Sequence, residues 1–361
     1  MRVLDFSHVV AGPLATLQLS LLGAEVLKVE GPGGDVMRRS GQGEQSFVAL
    51  NAGKRPLHLD LRRADDLAQA RTLAADCDVL VDNLRPGALE GLGLGFDAVS
   101  ALNPRIVYCA ISGFGREGAW SRRLAYDHVV QAATGMAMLA GTDSDPPIKS
   151  GYPGVDAVAG LQAAMAIVCA LRERDRSGRG LFIDVSMTGA ALQLMYPFAC
   201  DAMSTGASPP RVGNQGYSGS PAADFFASSD GWIAVGANTP RQLLALLDVL
   251  GLRAMAHDPA VFEAPPDAGA PAAFVRARDP QMLKRALAQR IAGWAARELE
   301  ARLVERGVPA ARVRRIGEFV ADARAAGALA DIVLAEGGVS VRSPGLGYRV
   351  RRLAEHDAGS S

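Results

Sequence analysis

The chain has 361 residues, 49% apolar and 21% charged, and its 38 basic side chains balance 38 acidic ones. This is globular composition, too long for one ordinary core, so about two domains are expected. The zero net charge excludes a global field that would favour nucleic acid or an acidic membrane surface. The four cysteines are widely spaced and form no Cys-x-x-Cys pair, so no metal or dithiol site is expected. The sequence reads as lacking an apolar run of about 18 residues free of polar breaks, so no membrane span is expected. No signal-peptide pattern opens it, and the cytosol is the expected compartment.

Val3-Leu4-Asp5-Phe6 reads as a short buried strand. Ala11-Gly12-Pro13 leads into a helix over 14–22 that Gly23 ends, and residues 24–30 read as the next strand. This βαβ unit seeds a parallel sheet. It lacks Gly-x-Gly-x-x-Gly, so a dinucleotide fingerprint, and with it a nicotinamide dehydrogenase, is disfavoured. A turn-rich loop with Arg38 and Arg39 follows. Further strands are predicted at 56–61, 78–82, 106–112 and 181–185, with helices over 63–75, 126–140, 156–174 and 187–203. Asn83-Leu84-Arg85-Pro86-Gly87 leaves its strand at the carboxyl end, where open α/β sheets bind ligands.

The Gly-, Ser- and Pro-rich stretch 204–220 reads as a linker or mobile loop. Beyond it, Ser228-Ser229-Asp230-Gly231 between two apolar runs signals a hairpin. Two or three helices occupy 240–306, divided by an Ala/Pro-rich loop near 261–273. The expected organisation is a large Rossmann-like α/β domain from residues 1–203 and 315–361, and a smaller α+β domain over 204–314.

The chemistry concentrates at Asp156. Lys149-Ser150-Gly151-Tyr152-Pro153-Gly154 turns the chain, Asp156 follows, and an apolar helix runs on through Leu171. An acid at a helix head meets free N–H groups and the positive end of the dipole, which lower its pKa. Asp156 therefore reads as an ionised functional carboxylate or as a simple cap.

Several segments in collinear order resemble the class III coenzyme A-transferase family, which also holds the formyl-CoA and carnitine-CoA transferases and the α-methylacyl-CoA racemases. They include Leu22-Gly23-Ala24-Glu25-Val26-Leu27-Lys28-Val29-Glu30, Gly53-Lys54-Arg55, Asp82-Asn83-Leu84-Arg85-Pro86-Gly87, Tyr126-Asp127 with Gln131, Asp156, and Gly178-Arg179-Gly180 before Asp184-Val185-Ser186. The resemblance implies a Rossmann-like large domain with a small domain, assembled as an interlocked, ring-like homodimer. It implies an acyl-CoA thioester and a small carboxylic acid as substrates, with no tightly bound cofactor.

In that family the residue matching Asp156 is the nucleophile. The resemblance makes Arg38, Lys54, Arg55 and Arg85 candidates for the CoA phosphates, with four solvated cations as the plain alternative. Asn83 and Leu84 would line the nucleotide or pantetheine path, and Val10 and Ala11 would lie by the thioester. Gly31 and Glu90-Gly91 stand where the family carries arginines. Tyr126 stands where racemases carry a proton-transferring histidine, and Thr239 where they carry a supporting glutamate. His128 is expected to point away from the Tyr126 position on a helix. These departures favour CoA transfer over the alternatives: an acyl-CoA isomerase, whether racemase-like or an intramolecular shuttle, or a CoA-binding regulator. The stretch 213–220 reads equally as a lid over the reaction or as an interdomain linker.

Overall fold

The structure, a computed structural model, describes residues 1–40, 43–266 and 274–351. In chain order the elements are β1 (Arg2–Asp5), α1 (Ala11–Leu21), β2 (Glu25–Glu30), α2 (Glu44–Asn51), β3 (Arg55–His58), α3 (Ala64–Asp76), β4 (Val79–Asp82), α4 (Phe96–Leu102), β5 (Val107–Ser112) and α5 (Asp127–Ala133). There follow α6 (Gly154–Ser177), β6 (Leu181–Ser186), α7 (Met187–Leu194), α8 (Tyr196–Thr205), β7 (Ala223–Ala227), β8 (Trp232–Gly236) and α9 (Pro240–Val249). The last are α10 (Pro280–Ile291), α11 (Ala296–Glu305), β9 (Ala310–Arg312), α12 (Ile316–Ala325), β10 (Ile332–Glu336) and β11 (Val339–Ser343).

The described residues divide into two units, the first made of residues within 1–139, 147–209 and 330–351. Its sheet runs β3-β2-β1-β4-β5-β6, and every pairing is parallel. The strands alternate across two cores. Val3, Val79, Val81, Val107 and Cys109 face α1, α6 and α7, while Leu4, Leu80, Tyr108 and Ala110 face the α3 side. Burial on both faces explains why these strands read as continuous apolar runs. The order reverses between β1 and β4, which opens a crevice at their carboxyl ends.

The helix α6 carries the first core. Ala159, Ala163, Ile167 and Ala170 line its buried face, and Gly178, with φ 74°, ends it. Small residues let α1 approach closely, most tightly at Gly160. Leu161, Met165, Val168 and Cys169 lie on an exposed flank. By length and composition alone α6 is apolar enough to cross a membrane, although Asp156 and Gln162 interrupt its apolar run, as expected. Its inner face packed on α1 and the sheet accounts for that apolarity here. The β10–β11 hairpin lays Leu334, Val339 and Val341 on Phe47 and Val48 of α2.

The second unit comprises residues 140–146 and 210–329. Its antiparallel sheet, β7-β8-β9, forms one core with α9, α10 and α11. The chain re-enters the first unit at Ala330 rather than 315, so α12 belongs to the second unit. Arg312 and Arg314 hold it there through Asp322, at 2.6 and 2.9 Å. Residues 267–273 of the expected Ala/Pro-rich loop, and 352–361 of the expected C-terminal return, lie outside the described residues.

Candidate active site

Three loops meet at the carboxyl ends of β1, β4 and β5. The Asn83 amide joins two of them: its Oδ1 accepts from the His8 amide at 2.8 Å, and its Nδ2 donates to the His8 carbonyl at 2.7 Å. Val9, next along, has φ 67°, a left-handed conformation that a β-branched residue adopts only when its surroundings force it. Val10 then sits at the N-cap position of α1, and Ala11 is buried behind it. Asn83, Leu84, Arg85 and Tyr126 line a cleft of about 260 Å3, with Ser112 and Arg123. The Ser112 hydroxyl is buried there with no hydrogen-bond partner, and Arg85 is exposed. The cleft thus offers two guanidiniums, a hydroxyl and apolar walls, a lining suited to an anionic ligand with an apolar stem.

Asp156 is the third residue of α6 and is half-buried. Burial first, then the neighbouring Asp127 carboxylate, push its carboxyl up to about 6. This reverses the expectation that the helix end lowers it. The reason is that Asp127 Oδ2 already accepts from the amides of Val155, at 2.8 Å, and Asp156, at 3.0 Å. The donors that would have stabilised the Asp156 anion are occupied, so Asp156 is not the cap of its own helix. At pH 7 the group remains ionised by roughly ten to one.

Tyr126 immediately precedes α5 in an extended conformation, φ −127° and ψ 163°. Its ring stacks on that of His128, with centroids 6.2 Å apart and planes 6° from parallel. His128 therefore does not point away from Tyr126. Because Tyr126 lies outside the helix, the rule that residues two apart diverge does not apply to the pair. Thr239 is a helix cap in the second unit, its hydroxyl accepting from Gln242 N in a capping box on α9. In that unit residues 214 and 216–218 border a hollow of about 340 Å3 beside β7 and β8.

Two expected phosphate ligands are committed elsewhere. The Lys54 ammonium is buried beneath α1, 3.2 Å from Asp5 Oδ2, and donates to the Pro13 carbonyl at 2.9 Å and Asn51 Oδ1 at 2.8 Å. Burial, only partly offset by Asp5, brings its pKa down to about 8. Arg38 is bidentate to Glu30, at 2.9 and 3.0 Å, and lies 3.2 Å from Glu44 and 3.4 Å from the Phe47 ring centroid. Both cations hold the fold together under the crevice. Neither presents a free charge to a phosphate. Arg55 is exposed and 3.8 Å from Glu25.

Sequence reasoning passed over four residues. Asp127 and Gln131 were visible only as parts of a family pattern, without a role. Ser112 closes β5, and its lack of a partner cannot be read from sequence. Arg123 follows Arg122 in a loop, where a basic pair reads as solvated surface.

Comparison with known proteins identifies the family and the fold. The CoA-transferase family III model matches residues 1–355. A mouse succinyl-CoA:glutarate CoA-transferase is 33% identical over 264 residues, which are 72% of this chain and 60% of that protein. The chain thus spans about 60% of that relative's length. An acetyl-CoA:oxalate CoA-transferase from Acetobacter aceti is 35% identical over 269 residues, 73% of this chain and 69% of the relative. A crystal structure of a CaiB/BaiF family protein from Brucella suis superposes with a TM-score of 0.78 at 30% identity, covering 92% of this chain and 88% of the other.

Proposed function

The chain belongs to CoA-transferase family III, and we propose that it moves CoA from an acyl-CoA thioester to a small carboxylic acid, with Asp156 as the nucleophile. The observation that carries this reading is the bare, half-buried Asp156 carboxylate. Among the described residues it feels no cation and accepts no hydrogen bond. An Asp156 oxygen attacks the thioester carbonyl, the C–S bond breaks, and CoA thiolate leaves a mixed anhydride. The thiolate then attacks Asp156 Cγ and expels the donor acid as its carboxylate, giving an aspartyl-CoA thioester. The acceptor carboxylate attacks Cγ in turn, releasing thiolate and forming a second anhydride. The thiolate finally attacks the acceptor's carbonyl and regenerates the Asp156 carboxylate. One difficult exchange becomes four substitutions at activated carbonyls.

In this reading Arg85 and Arg123 face the phosphates of CoA, Asn83 and Leu84 line its path, and Tyr126 borders the reacting end. CoA thioester is the substrate, and no resident cofactor takes part. The relatives named for glutarate and oxalate support a dicarboxylate acceptor. A racemase reading requires a base opposite Asp156, and Tyr126, where racemases carry a histidine, brings a phenol, which is a poor proton acceptor. We also propose a homodimer, interlocked as in the family and working in the cytosol. The flank of Leu161, Met165 and Val168 on α6, with Tyr196 and Met203 on α8, is apolar surface of the kind a partner covers.

The test is exchange of labelled CoA between succinyl-, acetyl- or formyl-CoA and a panel of acids, followed by mass spectrometry. Asp156→Ala should abolish exchange, and a mass increase from aspartyl-CoA should be trapped on the parent enzyme alone. Turnover in Asp156→Ala would refute the mechanism. Deuterium wash-in at the α-carbon without exchange would favour the isomerase.

A further inference from the structure

We propose that Asp127 is a positioning residue for the nucleophile: its carboxylate takes the two first-turn amides of α6 and thereby fixes a negative charge beside Asp156, which keeps the Asp156 carboxylate bare, basic and reactive. This rests on the reading of Asp156 as nucleophile and adds how its reactivity is set.

The amides at the head of α6 can be counted one by one. Pro153, at the N-cap position, has none and no capping side chain. Gly154 N donates to the Tyr152 carbonyl at 2.9 Å, and Ala157 N to the Pro153 carbonyl at 3.1 Å. The remaining two, from Val155 and Asp156, go to a single oxygen, Asp127 Oδ2. A side chain from α5 thus performs the capping that α6 lacks locally.

Asp127 is itself fixed by Gln131, one turn later on α5 and 1% exposed. Gln131 Nε2 donates to Asp127 Oδ1 and, at 2.8 Å, to Ser150 Oγ, while its Oε1 accepts from Ser150 N at 2.8 Å. Ser150 Oγ in turn donates to the Tyr152 carbonyl at 2.7 Å. The whole turn from Ser150 to Asp156 is therefore held from α5.

Among the described residues no other charge competes for Asp156. The elements packed on α6 are α1, α7, β5, β6 and α5, and α1, α7 and β5 carry no charged side chain. Asp184 on β6 accepts from the Arg116 amide, and His128 on α5 is exposed against Tyr126. Among the described residues Asp127 is the one formal charge that acts on Asp156. A carboxylate without donors is the better nucleophile, since reactivity rises with basicity along a Brønsted line of slope about 0.4–0.5, the value for thiolates. Its position at a helix end brings order without the stabilisation that would blunt it.

The charge can be separated from the fold. Asp127→Asn keeps an oxygen for the two amides and removes the charge. Gln131→Leu keeps the charge and loosens the turn. The measurement is a 13C NMR titration of the aspartate carboxyl carbons in the full chain, with Asp156 assigned by its absence in Asp156→Asn. Asp127→Asn should lower the Asp156 midpoint by about one unit, move the acid limb of the rate profile the same way, and cut the plateau rate by about three-fold. Gln131→Leu should leave the midpoint in place while lowering the melting temperature. An Asp156 midpoint unmoved by Asp127→Asn, or moved equally by both variants, overturns the proposal. The titration needs no turnover, so its outcome is independent of whether Asp156→Ala abolishes transfer.

Discussion

Gly160 lies one turn after Asp156, where α6 crosses the start of α1. A Cβ added there would stand 2.5 Å from the Ala11 carbonyl oxygen and 3.2 Å from Leu14 Cβ. The first contact is with backbone and falls about 0.9 Å short of ordinary van der Waals separation, taken as 3.4 Å. Two effects oppose each other in Gly160→Ala. Helix propensity favours alanine by about 1 kcal/mol, while overpacking costs about 1–3 kcal/mol. Because a main-chain oxygen cannot rotate aside, the steric term should win by about 1–2 kcal/mol, and the melting temperature should fall by roughly 3–6 °C. The displaced helix carries Asp156, and an error near 1 Å at a reacting atom costs about 100-fold in rate. Gly154→Ala serves as the control: the atoms nearest its Cβ belong to the Tyr152 side chain, 3.0 Å away and 67% exposed, which can swing aside. Calorimetry and kcat/KM on both variants make the comparison. A Gly160→Ala enzyme as stable and as fast as its parent would refute the close approach of α1 and α6 as the device that places Asp156.

Lys54→Met should destabilise the fold by about 3 kcal/mol or more, because it strands the buried Asp5 carboxylate, while the folded protein keeps its affinity for CoA. Arg85→Ala should do the opposite, raising the KM for acyl-CoA with stability changed by no more than about 0.5 kcal/mol. Denaturant melts beside substrate titrations decide it, and CoA binding lost from a stable Lys54→Met would return Lys54 to phosphate recognition. Asp156→Asn should stabilise the protein at neutral pH. The folded Asp156 carboxyl is raised to about 6 from 3.8, so its contribution to stability is present below the unfolded value and lost as pH rises through the folded one. At pH 8 the amide should be the more stable by about 1–2 kcal/mol, after discounting for partial exposure. The difference should fade as the pH falls below about 4, and melts across that range that show no convergence would refute the linkage.

Much of the first unit was legible because burial on both faces writes itself into strands. Val79 to Val81 and Val107 to Ile111 can hardly be anything else. The small-residue run of α6 was equally plain. The helix α2 was not anticipated, since Glu44 to Asn51 follows a glycine-rich turn and mixes polar with apolar residues. Depth was also hidden. Gly53-Lys54-Arg55 looks like solvated surface, and the partner that buries Lys54 stands 49 positions earlier. Asp127 was hidden for a different reason. Its partners are main-chain amides 28 and 29 positions away, and amides leave no mark in a sequence.

Two aspartates of the first unit show how one residue type is turned to opposite uses. Asp5, fully buried at the end of β1, accepts from Ser7 N at 2.8 Å, the Ser7 hydroxyl, Thr16 Oγ1 at 2.6 Å and Lys54 Nζ at 3.2 Å. Burial alone would push its carboxyl up, but Lys54, Lys28 and the two hydroxyls hold it below the usual range. Its oxygens are saturated with donors, so it has little nucleophilicity left and serves to lock β1 to α1. Among the described residues Asp156 has no such donors, and a second carboxylate stands beside it. Environments that drive two carboxyls apart assign their roles. The Asp5 cluster makes the loop from Ser7 to Val10 rigid enough to hold Val9 in its strained conformation, and Asn83 clasps that loop from the other side of the strand-order reversal. Loosening Asp5 should therefore cost activity as well as stability, although Asp5 touches no reacting atom.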